Sequence, residues 1–251
     1  MRKLPLLTAS AVIASFGLTN VASAQAPTQP TQSLTIKAQY KNAGTKAKPR
    51  NVGKFTVDIN SAPAVDPVTA AQIPFVTTNT TVFFDKNLVF GGAKFPSCTK
   101  AQAASGTSGA AKCKAAKIGT GNARGGSIVL GIIQDLKVTA FNGPQGKSLY
   151  LRVQTLPGAA VALDQVLDGK LQNATGKYGR KLNVDIPTEL QNIAGADISL
   201  LKFLTAVGGS RKGTPYVGLK GCTGGKLAFK ADFTYKDGTK NTATATANCR
   251  K

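Results

Sequence analysis

Short runs in which apolar and polar residues alternate recur along most of the chain, and a period of two predicts strands. Leu34, Ile36, Ala38 and Tyr40 alternate with Thr35, Lys37 and Gln39, the pattern of a strand with one face in a core. Residues 54–59 repeat it, with Phe55, Val57 and Ile59 on one side. Further strands are expected at 80–84, 88–90, 118–123, 127–133, 136–141, 148–156, 181–186, 198–207, 226–235 and 239–247. Between them, Asp85-Lys86-Asn87 and Asn142-Gly143-Pro144-Gln145-Gly146 read as turns. Lys236-Asp237-Gly238 separates two alternating runs, and an Asp-Gly pair in that setting is the strongest short-range hairpin signal. The Pro- and Ala-rich stretch 65–78 is expected to be irregular, and 164–173 reads as a short helix or a turn.

One stretch departs from the strand pattern. Residues 95–116 are rich in Ala, Lys and Ser, which suits one or two helical turns inside the loop bounded by Cys98 and Cys113. About a dozen short strands with so little helix predict an all-β fold. The expected architecture is an antiparallel β-sandwich, Ig-like or jelly-roll-like, forming a single domain over 34–251 with that helical excursion. Residues 25–33 (QAPTQPTQS) are polar and Pro-punctuated, as in a disordered leader.

The first 24 residues change the setting. Met1-Arg2-Lys3 is cationic, 4–18 is mostly apolar, and Ala22-Ser23-Ala24 has the small-x-small form of a signal-peptidase site. A bilayer span needs about 20 apolar residues, and this run is shorter and contains Pro5. The expectation is a signal peptide over 1–24, cleaved near Ala24, and a secreted protein, extracellular or periplasmic. The nearest later candidate for a span, 193–207, is interrupted by Asp197 and Lys202.

An oxidising compartment gives the four cysteines a role. Four cysteines allow three pairings, and local pairing is favoured because Cys98 and Cys113, like Cys222 and Cys249, bracket one compact segment each. Zinc is the rival reading, but it wants tight thiolate pairs, often with His. The chain has no such pair and no His.

The missing histidine also removes Ser-His-Asp and Cys-His nucleophile systems, imidazole ligands and a titration near neutrality. Carboxylates are few: 11 acidic residues against 32 basic ones, for a net charge of +21. Asp164 and Asp168 would share a face if 164–173 were helical, the one acid pair a hydrolase could use. Asp58-Ile59-Asn60 and Asp85-Lys86-Asn87 have the spacing of calcium ligands, but turn formation explains both with fewer carboxylates than calcium needs. The glycine-rich run 119–126 matches neither the phosphate loop nor the dinucleotide fingerprint and reads as strand plus turn. Lys94, Lys100, Lys112, Lys114 and Lys117 lie in or beside the first disulfide loop, candidates for an anion site on a rigid sheet.

Several blocks also resemble a known group. Phe95-Pro96-Ser97-Cys98 with a second cysteine near 113, Lys117-Ile118-Gly119-Thr120-Gly121, residues 138–143 (VTAFNG), Gly221-Cys222-Thr223-Gly224-Gly225-Lys226, residues 233–238 and Cys249-Arg250-Lys251 are similar to uncharacterised secreted actinobacterial proteins with two local disulfides. The resemblance supports export and disulfides and implies no activity.

Together these features predict a secreted, non-enzymatic protein binding anionic cell-wall or membrane-surface polymers through its lysine-rich loops, without cofactor or metal. A small-ligand or lipid carrier holding its cargo between sheets is the alternative, and a carboxylate-dependent hydrolase is less favoured. Specific nucleic-acid binding is disfavoured, because the bases are mostly Lys and few aromatics interleave with them.

Overall fold

Eleven of the chain's strands pair edge to edge into one antiparallel sheet. The coordinates are a computed structural model describing residues 30–38, 42–66, 68–105, 111–193 and 195–250. Along the chain the strands are β1 (Thr31–Ala38), β2 (Arg50–Asn51), β3 (Lys54–Ala62), β4 (Thr77–Asp85), β5 (Leu88–Phe90) and β6 (Lys117–Ser127). They continue as β7 (Ile132–Asn142), β8 (Ser148–Thr155), β9 (Asp164–Asn173), β10 (Tyr178–Asp185), β11 (Asn192–Ile193) and β12 (Ala196–Asp197). The last are β13 (Ser199–Gly208), β14 (Ser210–Arg211), β15 (Thr214–Pro215), β16 (Val217–Leu219), β17 (Lys226–Tyr235) and β18 (Lys240–Asn248). A short α-helix, α1 (Lys100–Ala104), lies between β5 and β6.

The large sheet runs β1-β3-β13-β6-β7-β8-β9-β10-β4-β17-β18. Its two edge strands, β1 and β18, come to lie against each other. Side chains bridge that seam: Asn241 Nδ2 donates to the Pro30 carbonyl at 2.8 Å and Gln32 Nε2 to the Tyr235 hydroxyl at 2.8 Å. The all-β antiparallel class is therefore as expected, and the facing layers are parts of a single sheet curled into a nearly closed barrel. Inward residues of every strand meet in one core, among them Phe55, Val82, Leu136, Leu151, Leu167, Leu182 and Phe229.

The pairing sorts the connections onto two ends. At the upper end lie 63–76, 128–131, 156–163, 186–198 and 236–239; at the lower end lie 42–53, 86–116, 143–147, 174–177 and 209–225. A small sheet, β2-β16-β5, packs into the core from the lower end, burying Val52, Leu88, Val217 and Leu219.

Four details correct the expectations. The proposed leader 25–33 overlaps β1, which starts at Thr31, because the polar side chains there have partners: Ser61 Oγ donates to Gln32 Oε1 at 2.6 Å. Residues 164–173 are strand, not helix or turn. Residues 128–131, expected within a strand, form the turn between β6 and β7. Finally, the short strands β2, β11, β12, β14, β15 and β16 had no expected counterpart. The expected signal segment 1–24, the start of the leader, Gln39 and Tyr40 lie outside the described residues.

Both expected disulfides are present, Cys98–Cys113 and Cys222–Cys249, with Cα atoms 5.5 and 5.7 Å apart. The second joins the open ends of the β17–β18 hairpin. No helix among the described residues is long and apolar enough to cross a membrane.

Candidate functional site

The excursion between β5 and β6 carries the candidate lysines, and its anchoring explains where they point. Thr99 caps α1 through its hydroxyl on the Gln102 amide, and Gln102 returns the bond to the Thr99 N–H, a reciprocal box that starts a helix only five residues long. Cys98, Cys113, Ala103 and Ala116 are buried against the outward faces of Phe141, Tyr150 and Val166. The helix thus covers β8 and β9 from outside, with the disulfide closing its loop. Asn142, fully buried, fixes the entry: its Nδ2 donates to the carbonyls of Gly92 at 2.9 Å and Pro96 at 3.0 Å. The Tyr216 hydroxyl reaches its Oδ1 at 3.4 Å, and burial pushes that phenol well above its ordinary pKa.

With its apolar side turned inward, the excursion leaves Lys94, Lys100, Lys112, Lys114 and Lys117 exposed. They are part of a larger segregation. In the connections of the lower end every charged residue is Lys or Arg, including Lys46, Lys48, Arg50, Lys147, Arg211 and Lys220. The upper connections carry Asp66, Glu189, Asp197 and Asp237, with Lys236 as their only base, and Lys236 is salt-bridged to Asp197 at 2.7 Å. Among the described residues, none of the salt bridges involves a base from the lower connections. Two of the upper carboxylates are held ionised by local donors. Asp66 lies below its ordinary pKa through the amides of Thr69 and Val68, and Asp237 through the Thr239 hydroxyl and amide.

The acid pair considered for hydrolysis falls out differently. On strand β9, Asp164 and Asp168 share the outward face about 13 Å apart, at roughly 3.3 Å per residue. Each has its own cation. Arg152 donates through Nε to Asp164 Oδ1 at 2.7 Å and pairs a second nitrogen with Oδ2, while Lys170 Nζ meets Asp168 Oδ2 at 2.7 Å. Glycosidase carboxylates stand roughly 5–9.5 Å apart, so this geometry is that of two ion pairs. The two Asp-x-Asn motifs are turn and strand bonds: Asn60 donates to Asp58, and Asp85 accepts from the Asn87 amide and from the Ala228 amide on β17. No three His, Cys, Asp or Glu side chains converge among the described residues.

A feature that the sequence reading passed over lies inside the barrel. The glycine run became strand β6, and alternate positions Gly119, Gly121, Ala123 and Gly125 oppose Val207, Thr205, Phe203 and Leu200 of β13. Side chains at Gly119 and Gly121 would run into the Ala206 and Leu204 carbonyls, so the strands approach too closely for anything larger. An apolar cavity of about 150 Å³ adjoins this bare stripe, lined by residues such as Val57, Ala123, Leu136, Val153, Leu167 and Phe203. Thr205 also borders it, and its buried hydroxyl has no hydrogen-bond partner among the described residues. The legible signal was Gly-x-Gly-x-Ala-x-Gly at period two, small residues where a strand normally fills a core.

The fold and site define a class: a disulfide-stapled, nearly closed antiparallel barrel with one cationic end and an apolar interior. Comparison with known proteins gives no match to a family model, to a curated sequence or to a solved structure.

Proposed function

We propose that this is an exported, non-enzymatic protein that binds anionic polymers of the cell envelope through its lower end. The observation that carries the reading is the charge segregation: a polyanion approaching that end meets lysines and arginines from five connections and a carboxylate from none. Like-signed charge gathered on one face sums to a field that draws in and retains an extended anion. Lys94, Lys100, Lys112, Lys114 and Lys117 form the exposed edge of this field, on a loop tied down by a disulfide and by Asn142. Export is supported by the signal-like pattern in 1–24 and by the two disulfides. A binding role, as opposed to a catalytic one, is supported by the absence of histidine from the sequence and by the separate pairing of Asp164 and Asp168.

Co-sedimentation of the full chain with fractionated envelope material, and with dextran sulfate as a defined polyanion, tests the proposal. Binding should be firm at about 0.05 M salt and vanish by roughly 0.5 M, where the screening length is only a few ångströms. Replacing the five lysines by Gln should weaken it about tenfold or more by thinning the field. Retention that ignores salt, or is unchanged by the five substitutions, would refute this reading.

A further inference from the structure

The interior of the barrel has a chemistry that polyanion binding does not use. No charged side chain lines the cavity, and its wall is mostly Leu, Val, Ile and Phe. An apolar void of this size stays dry and accepts a six-carbon ring, as the engineered lysozyme cavity does. Ser61, Thr77, Thr80, Gln134, Ser148 and Tyr216 also reach the wall, but Thr205 is the one lining residue whose buried polar side-chain atom lacks a partner among the described residues. It is 93% buried, being 7% exposed, and it has no partner among the described residues, a condition a folded protein tolerates poorly. An uncharged oxygen on an occupant would satisfy it.

The two ends of the cavity differ. At the lower end the small sheet β2-β16-β5 buries Leu88, Val217 and Leu219, while Phe90, Leu149 and Leu171 border the cavity there half-buried. At the upper end Leu190, Ile193, Ile198 and Leu200 border the cavity and are only half-buried. The large apolar side chains that stand exposed among the described residues are Val65, Val68, Val129, Leu130 and Leu156, and all lie in upper connections. Val68 is 90% exposed. The connections 128–131 and 156–163 contain no charge at all. An apolar solute therefore meets apolar surface before it meets the mouth.

We infer that the barrel interior is a binding site for a small neutral amphiphile, about six carbons of hydrocarbon with one hydroxyl or carbonyl oxygen, which enters at the upper end and hydrogen-bonds to Thr205. This site is independent of the cationic end, and its ligand carries no charge for salt to screen.

Methyl NMR of the full chain, titrated with 1-hexanol and with benzene at low salt and again at high salt, tests the inference. Both compounds should saturably shift the methyls of Leu136 and Leu167, equally at either salt concentration. Ala123→Phe, which fills the space beside the glycine stripe, should abolish both responses; Val153→Phe, two strands away on β8, does the same should the first variant not fold. Thr205→Val keeps the shape and removes the hydroxyl. It should weaken 1-hexanol about threefold or more, the loss of one neutral hydrogen bond, and leave benzene unchanged. Absence of saturable shifts in the unaltered protein means a sealed void and overturns the site, as does unaltered binding in the filled variants. Equal 1-hexanol affinity with Val at 205 overturns the polar anchor.

Discussion

Arg152 is the least exposed of the chain's described cations, 3% accessible on the outward face of β8, and Asp164 lies diagonally from it on β9, opposite Gln154. The guanidinium, through its hydrogen bonds, holds the Asp164 carboxyl below the ordinary carboxylate range. A depressed folded-state value means that the unfolded chain takes up the proton first. The pair's stabilisation is therefore complete above about pH 4, the unfolded value, and fades as pH falls through the lower folded one. Asp164→Asn should cost about 2 kcal/mol at neutral pH, the scale of a charged hydrogen bond reduced for the open side of the carboxylate. Urea denaturation between pH 2 and 6 should show a shallower acid slope in the variant, and an unchanged slope would contradict the assignment. Thr205→Val should act in the opposite direction, raising the stability of the ligand-free protein by about 1 kcal/mol because it removes an unsatisfied buried hydroxyl. Neither role was legible in sequence. Asp164 was noticed for its spacing to Asp168, and spacing has different consequences on a strand and on a helix.

Strand β9 shows why one element was misread. Val166 and Leu167 are both buried, so the period of two disappears. Leu167 faces the core, whereas Val166 is covered from outside by the disulfide-bounded excursion. A strand with both faces covered cannot be told from other apolar segments by alternation. Strands with one solvated face, such as β3 and β17, alternate cleanly and were placed within a few residues. The helical excursion, the hairpin turn at Asp237-Gly238 and both cysteine pairings were also legible, since each depends on local chemistry. The cavity was not, because it arises from what β6 omits, opposite residues some eighty positions away. Gly121→Ala should therefore destabilise far more than an ordinary strand substitution, by about 2 kcal/mol or more, since its methyl must displace the backbone of β13. Thermal melting of the variant against the unaltered protein checks this. Replacing Cys222 and Cys249 by Ser should cost about 3.5 kcal/mol in the chain-entropy model for a loop of that length. The Cys98–Cys113 pair should contribute slightly less, about 3 kcal/mol, its loop being shorter.

The barrel as a whole is closed by ladder hydrogen bonds everywhere except between β1 and β18, where Gln32 and Asn241 supply side-chain bridges. Amides on the seam edges of these two strands should exchange with deuterium faster than those of β7 and β8, which are paired on both sides. Uniform protection around the ring would mean that the seam carries backbone pairing as well. That the eleven strands form one ring could not be read from alternation, which marks inward faces without naming neighbours. The distribution of charge was half legible: the excess of base is in the composition, but the sorting of basic and acidic connections onto opposite ends emerges only from the order of strands. That sorting gives the molecule a permanent electric dipole along the barrel axis. Near a layer of fixed negative charge such a body rotates before it touches, and it settles with its lysines down. Its valine-tipped opening is then presented to the medium, so that every adsorbed copy faces the same way.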